Sequence, residues 1–67
     1  MKVRYQPYVW NGSRYTVMSV PIYETEAEAV TAVHTIMSDR SNTSILSSIR
    51  LHWKEKPIIV ESKVFNL

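Results

Sequence analysis

The sequence predicts a small two-layer α+β domain of ββαββ order, with one helix packed on one face of an antiparallel sheet of about four strands. Three observations predict it: an Asn-Gly pair between two alternating segments, a capping box that opens a run of apolar residues at helical spacing, and a second pair of alternating segments. Residues 1–67 are expected to form a single domain, because a chain of this length holds one small core.

A first β-hairpin is predicted around Asn11-Gly12, because both central residues of a tight type I′ turn need positive φ. The loop is either that pair, which places Trp10 opposite Ser13, or four residues long, which places Trp10 opposite Tyr15. Both registers give the same two faces. One face carries Val3, Tyr5, Pro7, Val9, Thr16, Met18, Val20 and Ile22, and the other carries Arg4, Gln6, Tyr8, Trp10, Tyr15, Val17 and Ser19.

A helix is predicted from about Glu26 to about Ser38. Thr25 and Glu28 fit the S/T-x-x-E capping box, in which the Thr hydroxyl accepts a hydrogen bond from the third helical N–H. Acidic residues lie at the helix start and Arg40 follows its end, which suits the helix dipole. The apolar residues recur every three or four positions and form one stripe of Ala29, Val30, Val33, Ile36 and Met37.

The rest of the chain, after a polar connection at residues 41–44, is predicted to form a second hairpin that turns between Glu55 and Pro57. Apolar and polar residues alternate there, which is typical of half-buried strands. Pairing Trp53 with Ile58 defines two faces. The face toward the helix carries Ile49, Leu51, Trp53, Ile58, Val60 and Val64, and the other carries Arg50, His52, Ile59, Glu61, Lys63 and Phe65.

One helix can cover only one face of this sheet, so the opposite face is predicted to be a contact surface. Exposed apolar patches of more than roughly a few hundred Å² on a small monomer usually mark an interaction site. The alternative is that cross-strand aromatic pairs only stabilise a thin sheet. The predicted partner-binding residues are Arg4, Tyr8, Trp10, Tyr15, Arg50, His52, Lys63 and Phe65.

Composition excludes several function classes. The chain has no cysteine and one glycine, and its two histidines lack metal-ligand spacing, so no catalytic residues, metal or cofactor are expected. No apolar run approaches the roughly 18 residues of a membrane span, and the first residues lack a signal-peptide core. A cytoplasmic protein without membrane contact is therefore expected.

The net charge of +2 is unevenly distributed: residues 24–40 carry −3, and the segments on either side are basic. Tyr, Trp and Arg dominate protein–protein hot spots, which favours a module that docks on a larger protein or complex. Nucleic acid is the alternative, because aromatic rings stack on bases and basic side chains contact phosphate. The acidic helix opposes that alternative unless it lies on the far side of the sheet. A homodimer that covers the open face is also considered, because a short chain without disulfides gains stability from it.

Residues 2–33 resemble the small arm-type DNA-binding domain at the start of many phage integrases in their order of strand, turn, strand and helix. A similar T-x-A-E-A opens the helix of that domain, and this sequence reads TEAEA from Thr25 to Ala29. The pattern departs from that domain because no third strand precedes the helix and two strands are expected after it, so no residue role is carried across. The chain is also similar in style to small proteins of phages and mobile elements, which implies a role as inhibitor or regulator of a host complex.

Overall fold

The computed structural model describes residues 1–39, 45 and 47–66, and these form a small α+β domain. The elements in chain order are β1 (Lys2–Trp10), β2 (Tyr15–Val17), α1 (Glu26–Ser38), α2 (Ser47–His52) and β3 (Ile59–Phe65). The three strands make one antiparallel sheet in the order β2-β1-β3, so β1 is central. Helix α1 packs against β1 and β3. Neither helix among the described residues has the length and apolar character needed to cross a bilayer.

The predicted strand after α1 is wrong, because that segment forms α2 and the order is ββααβ. Ile49 and Trp53 are four positions apart, a spacing that places two side chains on the same side of a strand or of a helix. Leu51 distinguishes the two, since a strand would turn it to the same side and a helix turns it away. Leu51 is 76% exposed while Ile49 is buried, and the Trp53 N–H donates to the Ile49 carbonyl over 2.9 Å.

Helix α1 confirms the predicted bounds, cap and apolar stripe. Thr25 is the N-cap, and its hydroxyl accepts a hydrogen bond of 3.1 Å from the Glu28 N–H. The Glu28 carboxylate accepts one of 3.1 Å from the Glu24 N–H, one residue before the cap. These bonds satisfy backbone donors that have no partner within the helix. Ala29 and Val33, in the middle of the stripe, are fully buried.

The carboxyl end of α1 is held by a residue of α2. The last turn of α1 contains no basic residue. The Arg50 guanidinium instead donates to the carbonyls of Met37 and Asp39, at 3.2 and 3.0 Å. Because the last carbonyls of a helix lack intrahelical partners, these bonds join the two helices where acceptors are available. The predicted dipole partner Arg40 and the connection at 41–44 lie outside the described residues.

The β1–β2 loop is the longer of the two predicted loops. The Asn11 side chain closes it, because its Oδ1 accepts hydrogen bonds of 2.9 Å from the N–H groups of both Ser13 and Arg14. Among the described residues only Gly12 has a positive φ, of 100°. A two-residue type I′ turn needs two such residues, so the turn has a different form.

The core is small and centres on β1. Pro7 and Val9 are fully buried on the face toward α1, and Val9, Val33 and Ile49 form one cluster, so both helices contribute. The predicted face of β1 is confirmed, but the covered area is smaller than expected. Several of its predicted aliphatic members remain more than one third exposed: Val3, Val20, Ile22, Leu51 and Val64.

Pro7 accounts for the short length of β2. Its carbonyl accepts a hydrogen bond of 2.9 Å from the Met18 N–H, but a proline has no N–H to donate in return. Regular pairing ends at Val17, and the chain leaves the sheet before it returns at Tyr23. There it exchanges two backbone bonds with Tyr5, of 2.8 and 3.4 Å. The residues between Val17 and Tyr23 are displaced from the sheet, which explains why Val20 and Ile22 are exposed.

Candidate binding surface

The sheet face opposite α1, called the open face below, carries alternate residues of all three strands. Tyr8 in β1 lies opposite Val17 in β2 and Ile59 in β3. Because directly opposed residues of an antiparallel pair share a face, the register defines the whole surface. It matches the predicted face in the first hairpin and in β3. Its members are Lys2, Arg4, Gln6, Tyr8, Trp10, Tyr15, Val17, Ile59, Glu61, Lys63 and Phe65.

Two predicted members of this surface lie elsewhere, because the segment that carries them is helical. Arg50 holds the end of α1. His52 lies with its Nδ1 2.6 Å from Glu55 Oε2, and its ring packs against Gly12 of the hairpin loop. Both side chains therefore connect elements of the fold. The members that the structure does place on the open face are Arg4, Tyr8, Trp10, Tyr15, Lys63 and Phe65.

The middle of the open face is an apolar row that crosses all three strands. Val17 and Ile59 are 49% and 45% exposed, and Tyr8 lies between them. The Tyr8 hydroxyl donates a hydrogen bond of 3.2 Å to Gln6 Oε1, two residues along the same face. This bond restrains the ring and satisfies its polar end. Within the described part of the chain, the helices lie on the other side of the sheet and leave this row open.

The loop before β3 partly encloses the aromatic end of the open face. The rings of Trp10 and Tyr15 meet edge to face, with 5.4 Å between centroids. Lys56 Nζ lies 4.1 Å from the Trp10 ring centroid, and the Tyr15 hydroxyl donates to the Pro57 carbonyl over 2.8 Å. One ring face of Trp10 is therefore in contact with an ammonium group. No local pattern in the sequence predicts these contacts, because Tyr15 and Pro57 are 42 positions apart.

The opposite end of the open face is basic. Arg4 lies directly across from Lys63, and Lys2 across from Phe65. Lys63 Nζ lies 2.5 Å from Glu61 Oε1. The hydrogen bond to Glu61, together with the charge of that carboxylate, raises the pKa of Lys63 above its ordinary value. This end of the open face therefore carries three cationic side chains, Lys2, Arg4 and Lys63, and Lys63 pairs with the carboxylate of Glu61.

Three other acidic residues, at the start of α1, lie in the other layer of the domain. Glu24 precedes α1, and Glu26 and Glu28 are in its first turn. Since α1 packs on the covered face, the sheet separates these carboxylates from the basic end of the open face. The condition under which nucleic acid remains a candidate, a helix on the far side of the sheet, is therefore met.

A shallow cleft of about 260 Å³ lies beside the same loop. The rings of His34 and Trp53 meet edge to face in it, with 5.3 Å between centroids, and Lys54 Nζ lies 5.4 Å from the Trp53 ring. The sequence did not predict this cleft, because the alternation around Trp53 indicates a strand. No three His, Asp or Glu side chains in the described ranges are grouped so that they could hold a metal ion. The cleft is lined by His34, Trp53, Lys54, Lys56, Pro57 and Ile58.

No protein-family model, curated protein or solved structure matches this chain. Function is therefore inferred from the surface chemistry of the open face.

Proposed function

We propose that this chain is a non-catalytic protein-binding module whose open face contacts the partner. The observation that carries the proposal is the apolar row of Val17, Tyr8 and Ile59 across the middle of the open face, with Val17 and Ile59 about half exposed and a basic region at one end of the same face. Exposed apolar patches on small proteins usually mark contact sites. An apolar centre with polar groups at its rim is also the common arrangement of protein interfaces.

The partner surface that fits is apolar with acidic groups at one side. Its apolar side chains would cover the row formed by Val17 and Ile59, and its carboxylates would lie near Arg4 and Lys63. Complementary charges of this kind set the orientation of a complex and speed its formation more than they raise its affinity. The apolar row is thus expected to supply most of the binding free energy.

Three features support a protein partner over nucleic acid. Stacking on bases needs free aromatic ring faces, and Lys56 lies over one face of Trp10. The Tyr15 hydroxyl is bonded to the carbonyl of Pro57. Val17 and Ile59 are aliphatic and offer no ring. Nucleic acid is nevertheless the second candidate, because the acidic start of α1 lies in the layer away from the basic end.

The wider proposal is that the chain acts by occupying a surface of a larger complex, in the cytoplasm, as an inhibitor or regulator that uses no cofactor. Its support is the small size of the chain, its composition, and its resemblance in style to small phage proteins.

A capture experiment with paired variants tests the proposal. Wild type, Ile59→Asp and Leu51→Asp are each immobilised and exposed to a lysate of the source cell, and retained proteins are quantified by mass spectrometry. Both positions are exposed, at 45% and 76%, so the added charge leaves the fold intact. A partner bound by the open face is retained by wild type and Leu51→Asp and lost from Ile59→Asp. Equal retention by all three would contradict the proposal.

Fluorescence anisotropy with labelled single-stranded DNA and RNA tests the second candidate. A protein-binding module is expected to bind either no better than about 10⁻⁴ M, the weak end of non-specific binding. Nucleic-acid binding would instead be micromolar and would weaken with salt, with a slope near −0.7 per phosphate contacted on a single strand. Loss of that binding in an Arg4→Ala, Lys63→Ala double variant would place the nucleic acid on the open face.

A further inference from the structure

The outer edge of β3 presents backbone groups that no strand in the described part of the chain pairs with. The order β2-β1-β3 gives β3 a single neighbour. The backbone N–H and C=O groups of successive residues in a strand point toward opposite edges of the strand. In β1, the groups of Tyr5 point toward the β2 side, where they bond with Tyr23. The residues of β1 that bond toward β3 are therefore Arg4, Gln6 and Tyr8. In β3, the groups that point to the outer edge belong to Val60, Ser62 and Val64.

The sequence of β3 is symmetric in chemical character about Ser62. It reads IVESKVF from Ile59 to Phe65. An acid and a base flank the serine, a valine lies beyond each of these, and a large apolar residue ends the strand on either side. Two such strands placed antiparallel about a two-fold axis at Ser62 would bring Glu61 of each copy opposite Lys63 of the other.

We propose that two copies of this chain form a homodimer through β3, with Ser62 opposite Ser62 and the two sheets joined into one. Three residue pairs at the shared edge would each exchange two bonds, which gives about six backbone hydrogen bonds. Glu61 would face Lys63 twice. On the covered side Val60 would face Val64, and on the open side Ile59 would face Phe65.

Charge selects this register over its neighbours. The outward-pointing residues of each copy must pair with each other, so the two-fold axis can also pass through Glu61 or Lys63. An axis at Glu61 places two carboxylates directly opposite, and an axis at Lys63 places two ammonium groups opposite. Like charges in that position destabilise a sheet. The axis at Ser62 alone pairs opposite charges, and it overlaps the full length of β3.

The dimer would cover apolar side chains that the single chain leaves exposed. Val64 and Phe65 are 58% and 36% exposed, and each would gain an apolar neighbour across the axis. A chain without disulfides would gain the support that so short a fold needs. Opposed residues share a face, so both open faces would lie on the same side of the joined sheet and remain accessible. The homodimer considered from the sequence differs, since it would cover those faces. This inference does not depend on the proposed function.

Sedimentation velocity with charge-swap variants tests the dimer. The molecular mass measured for wild type is expected to be twice the 7.8 kDa of one chain. Glu61→Lys or Lys63→Glu alone places like charges opposite in both cross-strand pairs, and each should weaken the dimer about tenfold or more. The double variant E61K/K63E restores opposite charges across the axis and should recover the dimer. It is the matched control for the loss of either native charge.

Ser62→Pro provides a second test that does not depend on charge. It removes an outward N–H at the axis and leaves the β1 ladder intact, so the variant should stay folded by circular dichroism and become monomeric. The proposal is overturned if wild type is monomeric up to about 1 mM, where even weak complexes assemble. It is also overturned if a dimer persists unchanged in Ser62→Pro and the single charge variants, or if the double swap stays monomeric. If the chain is monomeric alone and forms a complex only when a different protein is added, the edge of β3 binds that protein, and the homodimer proposal is overturned.

Discussion

The imidazole of His52 lies against the backbone of Gly12, where the tip of the first hairpin meets α2. A Cβ built at Gly12 would lie 2.7 Å from His52 Cδ2, and Gly12 also has a φ of +100°. His52 is in turn held by Glu55, at 2.6 Å. A residue predicted from the sequence to bind a partner therefore positions the loop that carries the aromatic end of the open face.

Gly12→Ala is expected to lower the free energy of unfolding by about 1–3 kcal/mol, because a side chain is strained at this positive φ and would also displace His52. Urea denaturation measures the loss. Ser13→Ala in the same loop is the matched control, and it should change stability by less than about 0.5 kcal/mol, as exposed surface substitutions do. Equal stability of the two variants would show that the loop does not hold this contact.

Arg50→Gln is expected to lower the free energy of unfolding by about 1–2 kcal/mol, because it removes charged hydrogen bonds to the carbonyls at the end of α1. Arg4→Gln, on the open face, should leave stability within about 0.5 kcal/mol of wild type. Thermal unfolding of the two variants separates a residue that holds the fold from one that faces a partner. An Arg50→Gln protein as stable as Arg4→Gln would argue against the assignment of Arg50 to the fold.

Thr25→Ala is expected to cost about 1 kcal/mol of stability, because the N-cap hydroxyl no longer accepts the Glu28 N–H. Thr31→Ala is the control, since Thr31 is exposed in the same helix and alanine is at least as good a helix former there. Denaturant unfolding followed by far-ultraviolet circular dichroism distinguishes them. If both variants unfold at the same denaturant concentration, the cap does not stabilise α1.

Val33→Asp is expected to unfold the chain, because it places a charge where the side chain is fully buried. Thr35→Asp adds the same charge at an exposed position of α1 and should leave the fold intact. The dispersion of amide proton signals in a nuclear magnetic resonance spectrum reports on both. A dispersed spectrum for Val33→Asp would mean that α1 buries a different face.

Local signals in the sequence predicted α1 and the faces of the first hairpin. The cap at Thr25 and the spacing of Val33 with its apolar neighbours depend on residues within one helix, so the sequence contains the information. The alternation in β1 likewise fixes which side chains share a face, whichever loop length is chosen.

The sequence could not separate a strand from a helix around Ile49 and Trp53, because a spacing of four satisfies both periods. The exposure of Leu51 decides between them, and that depends on the tertiary fold. Proline is rare in a central strand, but the alternation placed Pro7 in the first strand correctly, and its missing N–H falls at the point where regular pairing of β1 with β2 stops.

The candidate site was predicted as a face and not as a set of contacts. The alternation of side chains along each strand was enough to assign Arg4, Tyr8 and Lys63 to the open face. The position of Lys56 over Trp10 depends on how the loop before β3 folds back, and no local pattern carries that information. The reassignment of Arg50 and His52 follows directly from the helical state of their segment.

Methyl shift mapping can show whether the open face contacts the partner, in a titration of the methyl-labelled chain with the protein that capture identifies. Val17 and Ile59 report on the open face, while Ile22 and Leu51 are exposed elsewhere, at 58% and 76%. If the open face binds the partner, the methyl signals of Val17 and Ile59 shift and those of Ile22 and Leu51 do not. Shifts confined to Ile22 and Leu51 would contradict it.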